Sequence, residues 1–215
     1  MNGMETLKEN WKNYLSSRQN VLLLIISFAL MVISLHFVAK FITGIENRQG
    51  FAFDDPFLVL FKGTDLSWLI FSVLYFSVFF TFFQLLQTPQ DLVLGFFAYS
   101  MLISFRVLCM YLLPLDPPKD IVLLKDPIIE SFGIEITLTR DLFFSGHTSL
   151  MVLLFLLVKK KYAKIFLFFA TMIVALGVLL QKAHYSVDVV VAVFASYCAY
   201  SWTKGILTYV NFIKK

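Results

Sequence analysis

Charged residues and cysteines are scarce in this chain, and both features limit the class of protein to which it can belong. Asp, Glu, Lys and Arg make up 15% of the 215 residues, whereas soluble domains carry about 25%. The two cysteines, Cys109 and Cys198, lie inside apolar stretches. We interpret both as buried free thiols, because their number and spacing fit neither a disulfide framework nor a paired-cysteine metal site. The composition therefore excludes a soluble domain and a disulfide-stabilised scaffold.

Apolar residues make up most of the chain. The chain is 59% hydrophobic, contains 25 Phe and has a mean hydropathy of +0.80. This indicates that the bilayer is the solvent. The net charge is +4, but the basic residues cluster at segment ends, where membrane topology explains them, so we expect no nucleic-acid partner. We predict a cytoplasmic N-terminal segment at 1–20, no cleaved signal peptide, and one membrane domain at 21–215.

Six apolar stretches are candidates for membrane-spanning helices, which need about 20 residues each. Their ranges are 21–42, 66–86, 92–113, 145–158, 162–180 and 185–202. The fourth stretch is short, so we expect it either to begin upstream at Leu142 or to lie in a thinned region of the membrane. The predicted fold is an all-α integral membrane protein with six transmembrane helices.

The distribution of basic residues orients these helices. Ten Lys and Arg lie on the N-terminal side of the membrane against seven on the other side, and the short turn between the fourth and fifth spans is strongly basic. We therefore expect both termini to be cytoplasmic. The two long loops, 43–65 and 115–144, then lie outside, and long loops tend to carry function. Alternation over 134–138 predicts a short strand in the second loop.

His184 and Asp188 are four residues apart at the start of the sixth span, so they share a helix face. A carboxylate beside an imidazole fixes its tautomer and makes the other nitrogen more basic, which a nucleophilic histidine requires. The alternative is that Asp188 only caps the helix and His184 is an interfacial residue. His36, in the first span, has no acidic neighbour in sequence, and we interpret it as a buried packing residue or an interhelical hydrogen bonder.

Ser145-Gly146-His147-Thr148 lies where the second outer loop enters the fourth span. Free amides at a helix N-terminus favour an anion such as phosphate, and a histidine there can protonate a departing alkoxide. The alternative is a simple cap formed by Ser145 or Thr148, with His147 incidental. The predicted topology places His147 and His184 on the same side of the membrane, which favours one active site.

Charged residues near these motifs are candidates for binding phosphate or a head group. Arg106 lies inside the third span, where a guanidinium is costly unless it serves a function or pairs with Asp141 or Asp188. Asp141 could orient His147, contact a cationic head group or be a solvated charge. Arg140 and Lys182 flank the histidine motifs and either hold phosphate or anchor the outer interface; for Lys182 we favour the anchor.

Three stretches of the chain resemble the sphingomyelin synthase-like branch of the lipid phosphate phosphatase (PAP2) superfamily, over about 106–200. They are Arg106 to Pro114 with Tyr111, the Asp-x-x-Phe-Ser-Gly-His-Thr stretch at 141–148, and His-Tyr-x-x-Asp at 184–188 with Tyr197. The Ser-Arg pair of the broader phosphatases is replaced by Gly177-Val178, which favours the synthase branch. The Pro-rich motif of the first outer loop is absent as such, and Asp54-Asp55-Pro56 is at best a remnant.

The resemblance implies a phosphotransferase. His184 would attack phosphorus, Asp188 would orient it, and His147 would serve the leaving group. Arg106, Arg140, Asp141 and Tyr111 are then expected to bind substrate or phosphate, with no metal or cofactor.

The expected partners are a phospholipid donor and a lipid alcohol acceptor, such as ceramide or a diacylglycerol-like lipid. We expect a bacterial inner membrane, with the site on the outer face. Two alternatives stay open: a lipid phosphatase or phospholipase C-like hydrolase, and a non-enzymatic lipid-binding or transport protein.

Overall fold

The computed structural model describes residues 3–131, 138–210 and 212. All regular elements within these ranges are helical, apart from one isolated bridge between Phe51 and Leu115. The strand predicted over 134–138 lies, except for Leu138, outside the described residues. The α-helices are α1 (Gly3–Leu15), α2 (Arg18–Ile45), α3 (Ser67–Leu85), α4 (Pro89–Leu112), α5 (Pro127–Ser131), α6 (Gly146–Leu157), α7 (Lys161–Leu180) and α8 (Ser186–Tyr209).

The long helices follow the predicted spans, and the all-α membrane fold is supported. Five helices, α2, α3, α4, α7 and α8, are long and apolar enough to cross a bilayer. The fourth predicted stretch forms α6, which has 12 residues and is about 18 Å long, short of the roughly 30 Å hydrocarbon core. It begins at Gly146, so the expected upstream start at Leu142 is wrong. The reason is local: Phe143 has φ 78°, which no α-helix contains.

The helices alternate in direction. At one end, the Trp11 indole donates to the carbonyl of Leu86 at 2.9 Å, and Tyr14 contacts Phe212 with ring centroids 6.2 Å apart. The same end holds an ion pair between Lys159, after α6, and Asp91, at the start of α4, with both oxygens 2.7 Å from Nζ. We call this the basic end. α1, which the sequence analysis did not predict as a helix, and the C-terminal end of α8 both lie there.

α6 is the central helix and packs on α3, α4, α7 and α8. Its contact with α8 is close, because small residues face it: the Ser196 hydroxyl donates to the carbonyl of Ser149 at 2.8 Å, and Ala192 and Ala199 are fully buried. Small residues let helix backbones approach closely in a membrane. Packing on four neighbouring helices therefore stabilises α6, although it is too short to cross the hydrocarbon core by itself.

α2 lies at the periphery and packs mainly on α4. It buries only Ser27, Val38 and Ile42, and large apolar side chains cover its outer face. His36 is exposed on this helix, so the expectation that it is buried is wrong. The two cysteines are free, as expected, but only half-buried.

The end opposite the basic end, which we call the loop end, is built from the two long loops and the α7–α8 turn. Residues 50–51 run against residues 114–116: the Phe51 amide donates to the Pro114 carbonyl at 3.0 Å, and the Asp116 amide donates to the Phe51 carbonyl at 3.1 Å. A Cβ at Gly50 would lie 2.5 Å from the Leu115 carbonyl carbon, so only glycine fits there. The two loops are thus joined backbone to backbone.

The α7–α8 turn delivers His184 through a Schellman cap. Lys182 has φ 53°, its amide donates to Leu179, and the Ala183 amide donates to Val178 at 3.0 Å. This is the 6→1 and 5→2 pattern that ends a helix in a left-handed residue. The fully buried Gln181 amide group, 2.8 Å from the Ser67 hydroxyl, ties this turn to the start of α3.

Candidate active site

The start of α8 carries a buried histidine–carboxylate pair. Nδ1 of His184 lies 3.1 Å from Oδ2 of Asp188, and the Tyr185 amide donates to the same oxygen at 3.2 Å. Asp188 is fully buried and His184 is 4% exposed. The carboxylate therefore caps the helix and holds the imidazole at once. Because Nδ1 faces Asp188, Nε2 is the ring nitrogen left for another partner.

The start of α6 is joined to this pair through the main chain. The Ser145 amide donates to the Asp188 carbonyl at 3.2 Å. The Ser145 hydroxyl accepts the Thr148 amide at 3.3 Å and caps α6, as the simpler interpretation of this motif expected. His147, in the first turn of α6, packs edge-on against Phe71 with ring centroids 5.3 Å apart. The two histidine motifs thus begin side by side.

Arg106, on α4, extends its guanidinium to the start of α6. Its guanidinium pairs with Asp141 and lies over Gly146, where an added Cβ would be 2.6 Å from Nη2 and closer still to Cζ. The Arg106 side chain is 11% exposed and that of Asp141 21%. Of the two pairings that the sequence left open, the one with Asp141 is observed. Glycine at 146 is what leaves room for the guanidinium beside the first turn of α6.

One cavity of about 220 Å³ brings the histidines together. The described residues that line it are Phe71, Ile121, Leu124, Lys125, Asp126, Glu130, Leu138, Thr139, Asp141, His147, Ala183 and His184. The short helix α5 contributes Glu130, which pairs with Lys125 at 3.4 Å, and the Tyr75 hydroxyl donates to Asp126 at 2.5 Å. The walls therefore combine imidazole, carboxylate and apolar groups at the loop end.

Buried polar atoms without a hydrogen-bond partner concentrate here. Within the described part of the chain seven such atoms occur, and five belong to this site: Arg106 Nε, Asp141 Oδ1, His147 Nδ1, Thr148 Oγ1 and Asp188 Oδ1. An unsatisfied buried polar atom costs free energy, so folded proteins retain few of them. Their clustering marks the place where a polar ligand is expected.

Four basic or aromatic candidates are absent from this cavity lining: Arg106, which pairs with the lining residue Asp141, and Arg140, Tyr111 and Lys182. Arg140 pairs with Asp116 and donates to the carbonyl of Arg48. Tyr111 is 62% exposed, and its ring lies 5.7 Å from the Arg48 guanidinium, beside a groove between α2 and α4. Lys182 is buried, with Nζ 3.9 Å from a carboxylate oxygen of Asp120. The geometry thus assigns Arg140 and Lys182 to loop packing and Tyr111 to the outer surface.

The sequence analysis missed Asp55. It is 3% exposed, and its Oδ2 accepts the Ser186 amide, the first of α8, at 2.6 Å. Burial acts to raise the pKa of the Asp55 carboxyl, but hydrogen bonds from Ser186, Phe57 and Leu58 outweigh it and hold the pKa below its usual value. The signal was present in the Asp54-Asp55-Pro56 stretch, but no local pattern links that stretch to α8.

Comparison with known protein families gives one match. The model described as PAP2 superfamily C-terminal matches residues 140–206, about a third of the chain. The match supports the PAP2 superfamily. It covers both histidine motifs and the helices α6, α7 and most of α8, and it supports phosphoryl-transfer or hydrolase chemistry at this coarse level. Searches of the curated proteins and of the solved structures found no match.

Among the described residues, no group of three His, Cys, Asp or Glu side chains is arranged to hold a metal ion.

Proposed function

We propose that the protein transfers a phosphoryl-linked head group between membrane lipids, in the manner of the sphingomyelin synthase-like branch of the PAP2 superfamily. The observation that carries the proposal is the pairing of His184 with Asp188 in a cavity that His147 shares. Nε2 of His184 attacks the phosphorus of a phospholipid and forms a phosphohistidine. The bond from phosphorus to the diacylglycerol oxygen breaks, and His147 supplies the proton to that oxygen.

A second lipid alcohol, such as ceramide, then completes the reaction. His147, now neutral, takes the proton of that hydroxyl, whose oxygen attacks the phosphohistidine and releases His184. Arg106 and the first amides of α6 stabilise the charge that develops on the phosphoryl oxygens. The scheme balances without a metal or a cofactor. Water in place of the second alcohol gives hydrolysis, and the residues required are the same.

The proposed orientation places this chemistry on the outer face. In this orientation the chain crosses the membrane six times, although α6 alone is shorter than the hydrocarbon core, and both termini are cytoplasmic. The basic end lies inside, because Lys159, Lys160, Lys161 and Lys164 sit in or beside one short turn there. In a bacterium the loop end would face the periplasm or the exterior. Lys119→Cys should react with an impermeant thiol reagent from outside, and Lys160→Cys should not. Labelling of Lys160→Cys in intact cells would contradict the orientation.

Product analysis tests the function. Purified protein is incubated with head-group-labelled phosphatidylcholine, phosphatidylethanolamine and phosphatidylinositol plus ceramide. Labelled ceramide phosphodiester is the expected product, and His184→Ala is the control. Label released into water instead would favour the hydrolase alternative. No turnover of any lipid, with no phosphohistidine trapped, would favour a non-enzymatic lipid-binding protein.

A further inference from the structure

The first outer loop, residues 46–66, reaches the start of α8 through one carboxylate. Oδ2 of Asp55 accepts the Ser186 amide at 2.6 Å, while Oδ1 accepts the Phe57 amide of its own loop at 2.9 Å. Each carboxylate oxygen of Asp55 therefore accepts a hydrogen bond, one from α8 and one from the loop. A carboxylate at the first amides of a helix is a favourable cap and interacts well with the helix dipole.

The same loop holds the preceding residue as well. The ring of Phe53 stacks on Tyr185 with centroids 4.1 Å apart and an interplanar angle of 21°. The Tyr185 hydroxyl donates to the Asp116 carbonyl in the second loop at 3.0 Å. Residues 185 and 186 are thus fixed by the outer loops, and these two residues lie between the paired His184 and Asp188. The contacts from the outer loops and the histidine–carboxylate pair therefore involve the same turn of the backbone, residues 184–188.

We propose that Asp55 is a positioning residue, which fixes the first turn of α8 and so sets the place of His184 relative to His147. Asp55 is not among the described residues that line the cavity, so it acts through the backbone rather than on substrate. The proposal rests on the proposed function for the role of His184. A small displacement of a reacting group is enough to slow catalysis severely.

The neighbouring Asp54 provides a matched control. It is the same residue type in the same loop, but its side chain is 78% exposed and pairs only with Lys119 at the surface. Asp55→Ala should lower turnover at saturating donor about tenfold, because His184 is displaced relative to His147, with KM close to that of the wild type. Asp55→Asn keeps an oxygen for the Ser186 amide but turns its NH2 group toward the Phe57 amide, so it should restore part of the rate. Asp54→Ala should match the wild type.

A second readout is independent of activity. The rate at which diethyl pyrocarbonate modifies His184 is measured by mass spectrometry and normalised to a histidine-containing peptide added to the same reaction. Asp55→Ala should raise the rate several-fold, because the turn that buries His184 is released, whereas Asp55→Asn should raise it less and Asp54→Ala should leave it unchanged. If the wild type turned over no lipid, this difference would still support the positioning role while the proposed function failed.

Either of two results would overturn the proposal. One is an Asp55→Ala protein that matches Asp54→Ala in both turnover and modification. The other is an Asp55→Ala protein that loses turnover or melting temperature while modification of His184 stays at the wild-type rate. Asp55→Ser, which keeps one oxygen on a shorter side chain, replaces Asp55→Ala if the latter does not accumulate in the membrane, and the same criteria apply.

Discussion

The starts of α6 and α8 have a similar architecture but different charged side chains beside them. Each places a histidine beside the first turn of a helix at the loop end, and one backbone hydrogen bond from Ser145 to Asp188 joins them. At α8 the Ser186 amide donates to the Asp55 carboxylate, and the amide of Tyr185, just before the helix, donates to the Asp188 carboxylate. At α6 the cap is a neutral hydroxyl, and the neighbouring charges are the Arg106 guanidinium and the Asp141 carboxylate that pairs with it.

This difference indicates which kind of ligand each helix N-terminus can bind. A helix N-terminus attracts anions, and at α8 the protein's own carboxylates already satisfy that attraction. At α6 the cap is neutral, and the Arg106 guanidinium, although it pairs with Asp141, keeps Nε without a hydrogen-bond partner, so the helix dipole and the guanidinium both favour a further negative charge from outside the chain. Under the proposed function, the phosphate would therefore be held at the start of α6, and the imidazole oriented by Asp188 lies at the start of α8. Substitutions at the two starts should have different signatures.

The largest effect is expected at the start of α8. His184→Ala should abolish turnover, because no other group at this site forms the proposed covalent intermediate. Asp188→Asn should leave a residual rate, about 10²–10⁴-fold below the wild type, because the nucleophile remains but its tautomer is no longer fixed. Turnover and trapping of phosphohistidine measure both variants, and melting in detergent verifies folding. Wild-type activity of His184→Ala would refute the proposed chemistry.

At the start of α6 the effect should depend on the leaving group. His147→Ala should slow transfer from a natural phospholipid about 10²–10⁴-fold, the usual range for lost general acid catalysis. The loss should shrink for a donor with a p-nitrophenyl leaving group, which departs without a proton. Rates with the two donors are compared in the same detergent. An equal loss with both donors would mean that His147 acts in another way.

Arg106→Lys separates phosphate binding from structural pairing. Lys keeps the charge toward Asp141 but not the planar pair of donors, so turnover should fall at least about tenfold if the guanidinium holds the transferring group. If Arg106 only pairs with Asp141, Arg106→Lys should be nearly silent in rate, and Arg106→Ala should mainly lower the melting temperature. Rate and melting are measured for both variants.

The smallest of these effects is expected at Gly146. An alanine there would collide with the Arg106 guanidinium and push it away from α6, so turnover should fall about tenfold while the fold is retained. Gly205→Ala is the matched control: nothing lies within 4 Å of its added Cβ, and alanine favours a helix interior over glycine. A Gly146→Ala protein as active as Gly205→Ala would remove the Arg106 contact from the proposed mechanism.

Hydrophobic runs and two local motifs were enough to predict much of this architecture. The ends of α3, α4 and α7 lie within a few residues of the predicted ones, since Pro, Gly and charged residues bound those runs. The pairing of His184 with Asp188 follows from the 3.6-residue period of a helix. These features depend on residues that are close in sequence.

Features that depend on distant residues were missed. Asp55 meets Ser186 across 131 positions, and no periodic pattern encodes such a contact. Arg140 and Tyr111 lie beside motif residues in sequence, yet loop packing and the turn of α4 direct them elsewhere. His36 is exposed because α2 contacts little besides α4, and this depends on how the helices assemble rather than on the composition of α2.

The depth at which α6 begins bears on how a lipid could reach the site. Arg106 lies six residues before the end of α4, about 9 Å along the helix, and the start of α6 meets its side chain. Withdrawing a lipid tail from the bilayer costs about 0.8 kcal/mol for each methylene exposed to water. Under the proposed function, a reacting centre set back from the helix end by this distance would let a lipid substrate react with less of its tails withdrawn from the bilayer. The diacylglycerol of the proposed reaction would leave in the same way.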